Sequence, residues 1–176
     1  VMKSFEINVT GGNRVDGTSA GDIMSGTADN DYINGHGGDD TISGDSGNDA
    51  LLGETGNDIL NGGTGTDYLY GGVDNDTLNG GADNDFLQGG TGNDILFGNG
   101  GADLFIWGGG DADGSTDIIK DFNLAEGDKV DAKALLDALG WNGNMGTLSQ
   151  FVSVTGNTID IHNAADTISV NIVVEG

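Results

Sequence analysis

The chain of 176 residues carries 35 glycines, no proline and no cysteine, and 29 Asp and Glu against five Lys and Arg give it a formal charge of −24. This surplus excludes nucleic acid as a partner and stable membrane insertion or docking on anionic lipid, since acidic surfaces are bound through Lys and Arg clusters, and the missing cysteines exclude disulfides and thiolate metal sites. Two classes stay open: a disordered acidic solvator, or a fold completed by bound cations.

The first residues, VMKSFEINV, do not form a secretory leader, so an exported protein would carry its address elsewhere or belong to a longer chain. Residues 1–16 are read as a lead-in strand or cap. No apolar run reaches the length of a membrane-spanning helix. At Gly17 the sequence becomes periodic. Nine-residue units begin at Gly17, Gly26, Gly35, Gly44, Gly53, Gly62, Gly71, Gly80, Gly89 and Gly98 without an insertion. Their sixth position is always aspartate: Asp22, Asp31, Asp40, Asp49, Asp58, Asp67, Asp76, Asp85, Asp94 and Asp103. Their eighth is always a large hydrophobe, from Met24, Ile33 and Ile42 through a run of leucines to Phe105.

The letters of one unit predict its shape. Six residues rich in Gly, Asn and Asp make a turn, because these residues tolerate positive φ. The next three make a short strand whose middle side chain points away from its neighbours. One unit cannot bury a lone hydrophobe, but stacked units can. Two units make an 18-residue coil, successive coils stand about 4.8 Å apart, and the inward hydrophobes form two facing ladders between two parallel sheets. The aspartates then fall in two columns, one along each edge, where stacked carboxylates repel unless cations lie between them. Hard carboxylate oxygens, turns that present backbone carbonyls, and the lack of nearby His or Cys point to Ca2+ rather than zinc. Five turns per edge leave four gaps, hence about eight ions, whose sixteen positive charges would take −24 to about −8.

This pattern, over residues 17–106, resembles the RTX (repeats-in-toxin) nonapeptide family. The resemblance implies an all-β fold, a calcium-bound parallel β-roll, with ions held between like-sided turns by the sixth-position aspartates and backbone carbonyls. It also implies export by the type I secretion machinery of Gram-negative bacteria (ABC transporter, membrane fusion protein and outer-membrane channel), with the C-terminus leading and folding outside the cell on meeting calcium. Four units depart from the family at the fourth position, where Ala20, Asp29, Asp74 and Asp83 replace glycine. Aspartate adopts the left-handed conformation at some cost. Ala20 makes the first unit, GTSAGDIMS, the candidate degenerate cap.

Residues 107–176 are read as a small mixed capping module, and the resemblance implies that this region carries the secretion signal. WGGGDADGSTDIIKDFNLAEGDKVDAKALLDALGW resembles the closing segment of large RTX adhesins. Asp117 and Ile119 repeat the D-x-hydrophobe spacing as an eleventh turn displaced by five residues, so Asp111, Asp113 or Asp117 is expected to complete a last ion. Asp131 reads as a helix N-cap, 132–139 as a short helix and Gly140 as its stop. QFVSVTGNTIDIH reads as a hairpin over Gly156 and Asn157, and TISVNIVV as a third antiparallel strand.

One outward sheet face reads Ile23, Thr41, Ile59, Thr77, Ile95, and the other Tyr32, Ala50, Tyr68, Phe86, Leu104 with Leu52, Tyr70 and Ile106 beside them. The second is apolar enough to expect cover from the C-terminal module or a partner chain, although aromatics also suit strands for their own sake. GTSAG and GDSGN imitate hydrolase motifs, yet both lie in register with the repeats and lack the strand–turn–helix that a nucleophile elbow needs. Asp111-Ala112-Asp113-Gly114 echoes an EF-hand start, but Phe122 stands where the twelfth-place glutamate belongs. His36 and His162 read as surface residues, and two isolated histidines make no zinc-protease motif.

The expectation is a non-enzymatic, secreted or cell-surface module that is unfolded in low calcium and follows the upstream domains of a parent adhesin. Alternatives are the carrier domain of a secreted lipase or metalloprotease, and a polysaccharide- or ice-binding solenoid using the Ile/Thr face.

Overall fold

The computed structural model describes residues 6–8, 14–141, 143–144, 152–155, 157–162 and 169–174. The nine-residue period becomes strands that alternate between two sheets. They are β1 (Glu6–Asn8), β2 (Arg14–Asp16), β3 (Ile23–Ser25), β4 (Tyr32–Asn34), β5 (Thr41–Ser46), β6 (Ala50–Thr55), β7 (Ile59–Thr64), β8 (Tyr68–Val73), β9 (Thr77–Ala82), β10 (Phe86–Thr91), β11 (Ile95–Gly100) and β12 (Leu104–Ile106). β13 (Thr116–Ile119), β14 (Lys129–Asp131), α1 (Lys133–Ala138), β15 (Val152–Thr155), β16 (Thr158–His162) and β17 (Ser169–Val174) follow. One sheet runs β1-β3-β5-β7-β9-β11-β13-β17-β16-β15, and the other β14-β12-β10-β8-β6-β4-β2. Within the repeats all pairing is parallel, each residue opposite the one 18 further on, as in Ile42↔Leu60 and Leu51↔Leu69.

Because side chains alternate across a strand, every eighth-position hydrophobe faces the opposite sheet. Met24, Ile42, Leu60, Leu78 and Leu96 form one buried ladder, and Ile33, Leu51, Leu69, Leu87 and Phe105 the other. Val15 of β2 extends the second ladder backwards. β5 to β11 are six residues long rather than three. The start of each turn also pairs with the equivalent residues of the next coil, as Asp45↔Gly63 and Ser46↔Thr64 do, because identical stacked turns present the same backbone groups at the same height.

Past Phe105 the spacing breaks but the stacking continues. Ile95 pairs with Ile118 and Leu104 with Lys129, so β13 and β14 form one more coil despite the longer connections. β17 adds to β13 in parallel and carries the antiparallel hairpin β15–β16, paired from Val152↔Ile161 to Thr155↔Thr158. The expected three C-terminal strands therefore continue a roll sheet. α1 is shorter than the expected 132–139. Asp131 belongs to β14, the cap position is Ala132, and the Asp131 carboxylate still accepts the Lys133 N–H at 2.9 Å. Gly140, at φ +97, ends the helix. Leu135, Trp107, Ile119, Ile161 and Ile172 are buried in the same core as the ladders and close its C-terminal end.

Among the described residues the aromatic face is covered at its margin. Gln88 hydrogen-bonds to Asp111 of the 107–115 segment, while Tyr68 and Phe86 stay 40% exposed. Among the described residues no helix is long and apolar enough to cross a membrane.

Candidate metal centre

Each turn begins with a glycine for reasons of space. A Cβ on Gly53 would meet Asp58 Oδ2 and, at 2.7 Å, the Gly71 carbonyl oxygen of the next coil; a Cβ on Gly62 would meet Asp67 Oδ2 and the Gly80 oxygen at 2.6 Å. The missing side chains leave a cradle walled by oxygen. Positions two and four need positive φ. Gly63, Gly72, Gly81 and Gly90 supply it at the second, but so do His36, Asp45, Glu54 and Asn99, and Asp74 and Asp83 supply it at the fourth. Each of these L-residues carries a strain of about 1–2 kcal/mol. Thr18, Thr27, Ala20 and Asp29 are not left-handed, so the first two turns, rather than the first alone, depart from the rest.

The ten sixth-position aspartates do assemble into two columns. All are buried, with at most 4% exposure. In each column the Oδ1 of one carboxylate accepts the backbone N–H of the aspartate 18 residues earlier: Asp22 N–H to Asp40 at 2.7 Å, Asp40 to Asp58 and Asp58 to Asp76 at 2.8 Å, Asp76 to Asp94 at 2.9 Å. The other column runs Asp31 to Asp49 at 2.7 Å, Asp49 to Asp67 and Asp67 to Asp85 at 2.8 Å, and Asp85 to Asp103 at 2.9 Å. The second oxygen, Oδ2, of Asp40, Asp49, Asp58, Asp67, Asp76, Asp85, Asp94 and Asp103 is buried without any hydrogen-bond partner. A buried carboxylate oxygen left so is costly. Eight of them, of which those of Asp40, Asp49, Asp58, Asp67 and Asp76 face a cradle also walled by a carbonyl oxygen of the next coil, fit hard cations.

The electrostatics agree. Burial pushes the carboxyls of Asp40, Asp49 and Asp94 up to about 6, of Asp58 and Asp85 to about 7, and of Asp76 to about 8, against the opposing pull of the N–H that each accepts. Asp67 and Asp103 are raised for the same reason. Burial thus disfavours the ionised form of each of these carboxyls unless a cation lies beside it. Among the described residues no three His, Asp or Glu side chains converge on one point, and the backbone carbonyls beside the carboxylates, such as Gly71 O by Asp58 and Gly80 O by Asp67, offer the further oxygens that suit Ca2+.

Asp111, Asp113 and Asp117 do not share one site. Asp117 continues the first column, its Oδ1 accepting the Asp94 N–H at 3.0 Å and its Oδ2 the indole Nε1–H of buried Trp107 at 2.7 Å. Burial raises Asp117 to about 7, against both hydrogen bonds. Asp113 accepts the Gly92 and Ser115 N–H groups, each at 2.8 Å. Asp111 accepts the Gly108 N–H at 2.6 Å and, more weakly, the Gln88 amide at 3.4 Å.

Two further aspartates, outside the sequence-derived set, act in the same way. Asp128 continues the second column, accepting the Asp103 N–H at 3.0 Å on Oδ1 and the Asn123 N–H at 2.7 Å on Oδ2. Asp121 accepts the N–H groups of Gly98 and Asn99 at 3.0 and 2.7 Å. Asp128-Lys129-Val130 has the D-x-hydrophobe spacing that would have revealed the first of these. At the opposite end, Thr18 donates its N–H and Oγ1–H to Asp22 Oδ2 at 2.7 and 2.9 Å, and Thr27 does the same to Asp31. A second ladder runs through the fifth positions. Asn48, Asn57, Asn75 and Asn84 each accept, on Oδ1, the N–H of the residue 18 further on.

Buried carboxylate columns in a two-sheet parallel solenoid, with one bare oxygen per interior turn, define a cation-completed β-roll. The family model for the RTX calcium-binding nonapeptide repeat (4 copies) matches residues 16–51, 43–78, 52–87, 70–105 and 79–114. The chain belongs to this family of calcium-binding repeat proteins. No curated protein matches it.

Proposed function

We propose that this chain is a non-enzymatic, calcium-dependent folding and export module at the C-terminus of a secreted RTX adhesin, threaded unfolded through a type I secretion system and folded outside the cell. Its metal ligands are the interior sixth-position aspartates together with backbone carbonyls. One observation carries the reading: eight buried Oδ2 atoms have no partner of their own. A fold that strands eight carboxylate oxygens at neutral pH is favoured only when cations meet them. In a calcium-poor cytosol the glycine-rich chain cannot recover its conformational entropy, and in millimolar external calcium the binding free energy becomes folding free energy. The serines of the hydrolase-like strings fit this role, since Ser19 lies in a bend and the Ser46 N–H bonds the Thr27 carbonyl of the neighbouring coil.

The test is far-UV circular dichroism and calorimetric calcium titration of chelator-stripped protein at pH 7.5. The expected result is a cooperative gain of β signal with several ions bound. A chain already folded in chelator would remove the linkage between calcium and export. An Asp58→Ala/Asp67→Ala/Asp76→Ala chain exported at the wild-type rate would remove the folding step from the export mechanism.

A further inference from the structure

Five sixth-position turns along each edge enclose four gaps, so counting aspartates alone places ions between Asp22 and Asp94 in one column and between Asp31 and Asp103 in the other. The carboxylate oxygens tell a different story. With Asp117 and Asp128 the columns hold six aspartates each, and the first and last of each column have Oδ2 already taken by a protein donor. Thr18 takes that of Asp22, Thr27 that of Asp31, the Trp107 indole that of Asp117 and the Asn123 amide that of Asp128. The eight between them are bare.

The bare oxygens face forward along the roll. The Gly35 cradle is walled by Asp40 Oδ2 and by the carbonyl of Gly53 in the following coil, and the Gly44 cradle by Asp49 Oδ2 and the carbonyl of Gly62. Carried to the end of the columns, this direction points Asp94 and Asp103 into the coil made by β13 and β14. Their side chains are 0% and 1% exposed, with Oδ2 unpartnered. Asp117 stands above Asp94 and Asp128 above Asp103. Among the described residues the other buried carboxylate oxygen without a partner, Asp22 Oδ1, is the atom that elsewhere accepts a preceding aspartate's N–H, and so belongs to the backward side of its turn.

Building on the calcium-ligand reading above, we propose that the calcium array is shifted one coil towards the C-terminus. The gaps opened by Asp22 and Asp31 hold no ion because Thr18 and Thr27 stand in for it, and the last ion of each column lies between the roll and the C-terminal segment, at Asp94 beneath Asp117 and at Asp103 beneath Asp128. Threonine at the second position thus ends the array at one end, and Trp107 with the Asn123 amide ends it at the other. The two junction ions fasten the β13–β14 coil onto the repeats, so the C-terminal segment docks only on a calcium-loaded roll.

Equilibrium dialysis of the full chain against saturating calcium counts the ions. Asp94→Asn and Asp103→Asn are each expected to bind one ion fewer than wild type, and Asp22→Asn and Asp31→Asn the same number. Thr18→Gly and Thr27→Gly, which remove the Oγ1–H donor and let the second position take the positive φ of Gly63, Gly72, Gly81 and Gly90, so that its N–H turns from the Oδ2, are each expected to gain one. A loss of one ion in Asp22→Asn with none in Asp94→Asn overturns the shift. If the Asp94 and Asp103 variants fail to fold in calcium, the threonine variants decide, and an unchanged count in both overturns it. A wild-type chain that binds no calcium would instead defeat the calcium reading itself.

Discussion

A single methyl group separates a glycine that the fold requires from one that it merely contains. At Gly71 an added Cβ would meet Asp76 Oδ2 and, at 2.6 Å, the Gly89 carbonyl oxygen, so it would stand inside the cradle. At Gly100, in the third position of its turn, the nearest heavy atom to an added Cβ is the Gly81 carbonyl at 4.0 Å, and the backbone is not left-handed. Gly71→Ala should therefore abolish one calcium site and raise the calcium needed for folding. Gly100→Ala should leave both within error and change stability by no more than about 0.5 kcal/mol. Calcium-titrated circular dichroism of the pair checks this, and equal effects would sink the idea that first-position glycines are kept for space.

At the scale of the element, the turns are held by a ladder that owes nothing to calcium. Asn57 Oδ1 accepts the N–H and side-chain amide of Asn75, and Asn75 Oδ1 those of Asn93. In the other column the ladder is interrupted: Thr66 accepts nothing from Asn84 in the way that Asn48 accepts from Thr66. Thr66→Asn should repair the gap and stabilise the calcium-loaded roll by roughly 0.5–1.5 kcal/mol, the net worth of one hydrogen bond. A thermal melt at saturating calcium measures it, and an unchanged or lower midpoint would show that these exposed bonds carry no stability.

This ladder was invisible to a reading tuned to aspartate and leucine, although asparagine recurs at the fifth position. The stacking register, the two hydrophobic ladders and the two aspartate columns were legible, because a strict period of nine leaves no freedom in which residue faces which. Legibility ended where the period did. The repeat spacing still points to Asp117, displaced by a mere five residues, whereas Asp128 continues the other column after a longer connection that hides it. Asp111 and Asp113, grouped with Asp117 by their closeness in sequence, bind separate backbone amides, since their loop follows the edge of the last coil instead of converging on a point.

The whole molecule is a stack that must stop at both ends: the first coil leaves an acceptor, Asp22 Oδ1, without a partner, and the last presents unpaired donors. Forward-pointing amides of the last full coil, at Gly92, Asp94, Gly98, Asn99 and Asp103, would face no further repeat, and the carboxylates of Asp113, Asp117, Asp121 and Asp128 receive them. Acidity thus serves two purposes, capping amides at the end and awaiting cations in the middle, and the two respond differently to pH. Burial pushes the carboxyls of Asp40, Asp49, Asp58, Asp76, Asp85 and Asp94 up to about 6 to 8 in the folded chain, against about 3.9 for an unfolded aspartate. The calcium-free folded state therefore binds more protons than the unfolded state. Its stability is fully present below about pH 4 and is lost as pH rises through the folded values. Acidification also relieves the repulsion among 29 acidic side chains. Metal-stripped protein should gain β structure between pH 8 and pH 4 with no calcium added, and the calcium needed for half-folding should rise as pH increases over the same span in which the apo fold is lost. Above pH 8, with no protons left to displace, that requirement should level off. Circular dichroism of resin-stripped protein across this range checks the first part, and calcium titrations at each pH check the second. An apo chain equally unstructured at pH 4 and pH 8 would mean that protons cannot substitute for the cation, and that the cradles need the coordination of several oxygens at once rather than neutralisation of one.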